Sequence, residues 1–299
     1  MITYLSCMPC FLQQALKCAS LLNLSSEQTK QVVDRVAIQI PQLSIEKSPP
    51  WNSRVIYDEI KAVTGIDDPF LEIKKQSNQQ ALLLYDMAKE RVQQAKDPLK
   101  MAVRMAAAGN VIDYGTQQTV PEITKAFNIS LDQQFSVFCY DSFQRRLKNA
   151  QNILFLADNA GEIVFDRLLL ETIQKPVTFA VRGFPIINDA LRQDAIDVGI
   201  DRIANIIDNG AGYPGTVLEK CSQSFQQAFE QADLIISKGQ GNFETLCDTD
   251  APICMIFMVK CQQVVQHVQT MFSPDPPVRQ GQFVLTCNDS FRLTMASCH

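Results

Sequence analysis

The rhythm of hydrophobic and polar positions changes once along the chain. Up to about residue 150, apolar residues recur at helical spacing, and the gaps between them carry helix start and stop chemistry. Residues 10–22 read as one apolar-faced helix. Ser25-Ser26-Glu27 caps a second, running to about Ile40, and residues 41–50 are a connector. Residues 53–63 form a third helix, ended by Gly65. Asp67-Asp68-Pro69 opens a long fourth to about Gln94. Asp97-Pro98 starts a fifth to Ala108, and residues 131–149 make a sixth. Small oxygen-bearing side chains ahead of an apolar stretch satisfy the unpaired N–H groups of a helix start, and Pro is tolerated at its first position.

After Asn149 short apolar runs take over, at 152–157, 177–181, 202–207, 234–236, 253–259 and 283–286. A polar loop and a helical stretch follow each of the first four. This alternation predicts βαβ units and a parallel sheet. Right-handed crossovers then place every strand-to-helix loop on one sheet edge, where ligands bind in open α/β folds. The chain thus divides into a helical half, 1–150, and an α/β half, 151–299.

Composition narrows the function classes. A 46% apolar content excludes a chain that is mainly disordered. The longest apolar run, 253–259, is far short of the about 20 residues a membrane span needs. The first basic residue is Lys17 and Pro9 interrupts the early apolar stretch, so no secretory signal is read and a cytoplasmic location is expected. A net charge of -5 speaks against a nucleic-acid partner. The charge is uneven: residues 1–150 hold 17 basic and 15 acidic side chains, residues 151–299 hold 10 and 17. Nine of the 12 glycines fall in the second half, which suits a cation site built on tight turns. The ten cysteines are irregularly spaced in a chain too long to need staples, and most read as small buried apolar residues rather than as a disulfide framework.

Four strand-to-helix loops could carry chemistry: DNAGE (158–162), RGFPIIND (182–189), DNGAGYPG (208–215) and SKGQGN (237–242). Asp158 and Asn159 end a buried strand, Gly161 permits a sharp turn, and Glu162 opens the next helix. Helix capping alone explains such residues. A carboxylate beside an amide carbonyl is also an oxygen-donor pair for a hard divalent ion such as Mg²⁺ or Mn²⁺, and Asp189 supplies a second carboxylate from the neighbouring loop. In the SKGQGN loop, Gly239 and Gly241 let backbone N–H groups approach an anion, and Lys238 adds a full charge; a glycine turn beside a solvated Lys is the plainer reading. Gly210, Gly212 and Gly215 match G-x-G-x-x-G, but the acidic residue a dinucleotide site needs at the end of the next strand is missing. Cys7-x-x-Cys10 has no second pair and only two histidines to draw on, so a packed thiol pair is favoured over zinc, with a redox or metal-handling role open. Lys260 ends an apolar strand and points to the loop-rich edge unless it only snorkels at the surface. Asn110 and Asp113 in AAAGNVID could cover the site from the helical half or simply form a turn.

Taken in order, DNAGE, RGFPIIND, SKGQGN and Lys260-Cys261 after a helical half resemble the damage-control phosphatase family, and Cys7-x-x-Cys10 with Lys260-Cys261 is similar to its mainly prokaryotic subfamily. The resemblance implies a Rossmann-like three-layer αβα domain, with a mainly parallel sheet, preceded by an all-helical domain. It implies hydrolysis of phosphate monoesters of small metabolites, with Mn²⁺, Ni²⁺, Co²⁺ or Mg²⁺ as cofactor. Carried onto this chain, Asp158, Asn159 and Asp189 are the expected catalytic and metal-holding residues. Gly161, Glu162 and Arg182, then Lys238, Gly239, Asn242 and Lys260, are the expected phosphate-binding set, and Asp189 or Glu162 would serve as base. A small phosphorylated metabolite is the expected partner, with neither nucleic acid nor membrane. A methyltransferase using S-adenosylmethionine on carboxylates, a nucleotide-dependent oxidoreductase and a non-catalytic phosphometabolite sensor are the competing readings.

Overall fold

The computed structural model describes residues 1–111 and 120–288. Seven strands, β1 (Phe135–Phe138), β2 (Ile153–Leu156), β3 (Val177–Val181), β4 (Asn205–Asp208), β5 (Leu234–Lys238), β6 (Ile253–Met258) and β7 (Phe283–Cys287), make one sheet in the order β1-β7-β6-β5-β2-β3-β4. The five from β6 to β4 are parallel. β2 is buried at all four positions because strands flank it and helices cover both faces. From β2 the chain runs one way, to β3 and β4; β5 lies on the other side. The loops after β2 and β5 therefore flank the switch point where open α/β sheets take ligands.

Alternate strand residues face opposite layers. Phe155 and Phe179 point to one layer, where they stack at 5.1 Å and meet α6 (Pro98–Ala108), α8 (Tyr140–Asn149) and α9 (Glu162–Ile173). Leu154, Leu156 and Ile235 point to the other, formed by α11 (Gln223–Glu230), α12 (Gln240–Leu246) and α13 (Gln262–Phe272). α10 (Arg192–Asp197) follows β3. Three helices, α1 (Cys7–Leu21), α2 (Ser26–Gln39) and α3 (Pro49–Thr64), share a separate core around Phe11, Cys18, Val36, Ile56 and Ile60. α3 lies against α12, which sets this helical unit over the C-terminal edge of the sheet. α4 (Leu71–Leu82), α5 (Tyr85–Gln94) and α7 (Val120–Asp132) complete the layer around α6 and α9, with Phe127 stacked on Phe165 at 4.6 Å. Among the described residues no helix is long and apolar enough to cross a membrane.

Three of the helix ends act as the sequence predicts, whereas α4 starts at Leu71 without a side-chain cap, Asp68 accepting from Phe70 N–H ahead of it. Ser25 accepts from Gln28 N–H in a capping box, Asp97 accepts from Lys100 N–H, and Gly65 ends α3 in the left-handed region.

Several expectations need correction. Residues 131–149 are not one helix: α7 ends at Asp132, Phe135–Phe138 is strand β1, and α8 follows. Pairing with β7 decides this local contest in favour of strand, and the sheet therefore begins before residue 150. The long fourth helix breaks at Leu83-Leu84. The break buries Leu84 and brings Tyr85 to Glu171 of α9 through its hydroxyl, at 2.5 Å. The sheet is mainly parallel, as expected, with β7 running against β6. Across that pair Cys254 lies opposite Cys287 and is disulfide-bonded to it.

Candidate active site

The loop after β2 is zipped to the loop after β3. Ala160 N–H donates to Asn188 O at 2.9 Å and Ala190 N–H to Asp158 O at 2.8 Å, around an antiparallel bridge between Asn159 and Asp189. This backbone contact is what brings Asp158, Asn159 and Asp189 together. All three are nearly buried, and Asp189 is 2% exposed.

Arg182, just past β3, holds the floor. Its Nε donates to Asp189 Oδ2 at 2.6 Å, its guanidinium stands 3.8 Å from Asp158 Oδ1, and Nη2 donates to Asn242 Oδ1 at 3.3 Å. Asn242 in turn donates to Lys238 O at 2.7 Å and Ala157 O at 3.2 Å, joining the β5 loop to the β2 loop. Gly239 has a φ of +84°, and a Cβ there would lie 2.0 Å from Asp158 Oδ2. Only glycine lets the backbone pass so close to that carboxylate. Gly241 meets the third loop: a Cβ on it would lie 2.0 Å from Pro214 O.

Behind these groups lies a second tier. Glu162 Oε1 accepts from Asn159 Nδ2 at 2.7 Å and from Asn110 Nδ2 at 2.5 Å. Lys238 Nζ donates to Asp166 Oδ1 at 2.7 Å and stands 3.5 Å from Glu162 Oε2. Burial works against the lysine's charge, but Asp166 and Glu162 outweigh it and hold the ammonium above the usual lysine range. Asn78 on α4 accepts from Gly161 N–H at 2.7 Å and donates to Asp194 at 3.3 Å. Asp194 accepts from Leu191 N–H at 2.9 Å and pairs with buried Lys74.

A cavity of about 450 Å³ opens onto Asp158, Asn159, Asp189 and Lys260. Its opposite wall is helical, with Cys10, Pro50 and Tyr57 from α1 and α3. Burial, with Glu162 and Asp189 close by, pushes Asp158 up to about 8, while Lys260 and Arg182 pull the other way. Burial also raises Asp189, against Arg182. Two adjacent buried carboxylates that resist ionisation are the electrostatic signature of a place suited to a cation.

The structure brings together the expected metal-holding and phosphate-binding residues, but not in one rank. Asp158, Asn159, Asp189 and Lys260 front the cavity. Glu162, Arg182, Lys238 and Asn242 stand behind as buried partners, with Gly161 and Gly239 shaping the turns. Asn110 does reach the site; Asp113 lies outside the described residues. The G-x-G-x-x-G stretch is not followed directly by a helix, since only a short turn at Leu218–Lys220 precedes α11. Sequence reasoning missed Asn78, Lys74, Asp166 and Thr216, whose hydroxyl accepts from Arg182 Nη1 at 3.3 Å and donates to Asn242 Oδ1 at 2.8 Å. Asp166 carried a usable signal, a carboxylate one turn after Glu162 and directly behind the apolar run Ile163–Phe165.

Residues 3–272 match the family model described as the damage-control phosphatase ARMT1-like domain. An uncharacterized protein of Methanocaldococcus jannaschii is 33% identical over 277 residues, covering 88% of this chain and 90% of that protein. A damage-control phosphatase of Archaeoglobus fulgidus is 34% identical over 220 residues, 71% of this chain and 76% of its own length. The crystal structure of a DUF89 family protein from Pyrococcus horikoshii superposes with a TM-score of 0.85 at 28% identity, covering 96% of this chain and 99% of that one.

Proposed function

Because the chain belongs to the ARMT1-like damage-control phosphatase family, we propose that its sheet-edge cavity hydrolyses phosphate monoesters of small metabolites with the help of a divalent ion. One observation carries the reading: the zipped loops set Asp158 and Asp189 side by side at the floor of a cavity that Lys260 also lines.

The donor set fits a hard cation. Asp158 and Asp189 offer carboxylate oxygens, and Asn159 spends its Nδ2 on Asp158 Oδ2 and Glu162, which leaves its amide oxygen for an ion. These three residues would hold it. When bound, such an ion polarises a phosphoryl oxygen and makes water more acidic. Lys260 and the N–H groups of Gln240 and Gly241 receive the other phosphoryl oxygens, which carry the charge as the ester bond breaks. Arg182 keeps Asp189 oriented, and Lys238 keeps Glu162 in place. Glu162 is occupied by Asn159, Asn110 and Lys238, whereas Asp189 fronts the cavity, so Asp189 Oδ1 takes the proton of the attacking water. The helical wall, by its distance from this chemistry, selects among the organic parts of substrates.

The test is a phosphate-release screen over sugar phosphates, nucleotides and cofactor phosphates, repeated with Mn²⁺, Ni²⁺, Co²⁺ and Mg²⁺ and after chelation. Turnover is expected with at least one ion and is lost with chelator. Asp158→Ala is expected to lose most turnover. Near wild-type p-nitrophenyl phosphate hydrolysis by that variant, with Mn²⁺ present, overturns the assignment.

A further inference from the structure

At the far end of α12, away from the sheet edge, three side chains of different chemistry converge. Cys247 and Asp248 directly follow the helix, and His267 reaches them from α13; their ligand atoms all lie within 4.8 Å of one another. Cys247 Sγ is 3.5 Å from His267 Nε2. The nitrogen of Met1 stands 3.4 Å from the same sulfur and 2.9 Å from Asp248 Oδ2. A four-coordinate zinc ion, with bonds of about 2.0–2.3 Å, puts neighbouring ligand atoms about 3.3–3.6 Å apart. The Cys247–His267 separation fits an edge of that tetrahedron. The donors are a thiol, an imidazole and a carboxylate, the mixed set that suits zinc, in contrast to the all-oxygen set at Asp158. Packing holds them in place: Cys247 is buried, and the His267 ring stands edge-on to Phe243 at 5.8 Å.

We propose that Cys247, Asp248 and His267 form a zinc site, with solvent in the fourth position, that fastens α13 to the C-terminal end of α12. On binding, the Cys247 thiol releases a proton to solvent. The freed sulfur lone pair bonds the ion, while Asp248 binds as carboxylate and His267 through neutral Nε2. The site is independent of the cation proposed at Asp158.

Co²⁺ serves as the probe on the full chain, because thiolate ligation adds an S-to-Co charge-transfer band that an oxygen-only site does not give. Wild type is expected to show that band, saturating at one equivalent and abolished by Zn²⁺. Cys247→Ser is expected to lose it. His267→Gln, at a half-buried position, is expected to keep the wild-type circular dichroism and bind about a hundredfold more weakly or worse. A Cys10→Ser/Cys261→Ser double variant is expected to keep the band, and so is Asp158→Asn. Absence of the band from wild type, its survival in Cys247→Ser, undiminished affinity in folded His267→Gln, or its loss in the double variant each overturns the proposal.

Discussion

Lys238 sits out of water between Asp166 and Glu162, and its value to the fold lies in those two carboxylates. Lys238→Met would leave both without a countercharge. It is expected to cost about 3–5 kcal/mol, measured as a lowered urea midpoint. Gly239→Ala would place a methyl against Asp158 in a left-handed backbone. At least about 1 kcal/mol of stability should go with it, together with most of the phosphatase turnover, as read by thermal melts and phosphate release. Glu244 offers a pH test. Burial pushes it up to about 7 from an ordinary value near 4.5, so the folded chain holds a proton there that the unfolded chain releases. Stability from this group is therefore lost as pH rises from about 4.5 to about 7. Glu244→Gln should flatten the fall in melting temperature over that window, and an unchanged slope would show that other groups set it. The residue types of the site were legible in the sequence. The ranks were not: nothing near Lys238 announces that its partner is Asp166, 72 positions earlier.

At the scale of elements, the zip between the β2 and β3 loops is anchored from outside by α4. Asn78 receives Gly161 N–H and reaches Asp194, which in turn caps α10. Asn78→Ala leaves a buried N–H unpaired and is expected to cost about 1–3 kcal/mol. It should also weaken Mn²⁺ binding, since the turn that carries Asp158 and Asn159 loses its brace; calorimetric titration checks this. The buried strands and the caps were readable because four or five apolar residues bounded by polar loops have few other fates. β1 was not, because Phe135 and Phe138 suit a helix face as well as a strand, and only β7, some 150 positions on, tips the balance. The helical half likewise gave no sign of Asn78, whose partner is a backbone N–H that any residue would offer.

Across the whole molecule, the acidic excess of residues 151–299 is partly interior. Asp158, Glu162, Asp166 and Asp189 are buried around one sheet edge, answered by Arg182 and Lys238. On the proposed function a divalent ion would relieve that crowding, so Mn²⁺ at about 100 times its dissociation constant should stabilise the protein by about 2.7 kcal/mol. Asp158→Asn should lose this rise in melting temperature, measured by scanning calorimetry. The parallel core and its ligand edge could be foreseen from the alternation of runs and loops. The placement of α1 to α3 over that edge could not, because the contacts of α3 with α12 join segments nearly 200 residues apart.

The cavity thus has a floor and a roof of different make. Its floor is laced by backbone and charge pairs from three crossovers, and loosening any strand of that lacing disturbs the others. Its roof is three helices with their own core, joined to the rest through surfaces rather than through the sheet. Grafting the roof of a relative onto this floor should therefore redirect which esters are accepted while leaving the bond-breaking step intact, so new preferences can arise in this architecture without rebuilding its chemistry.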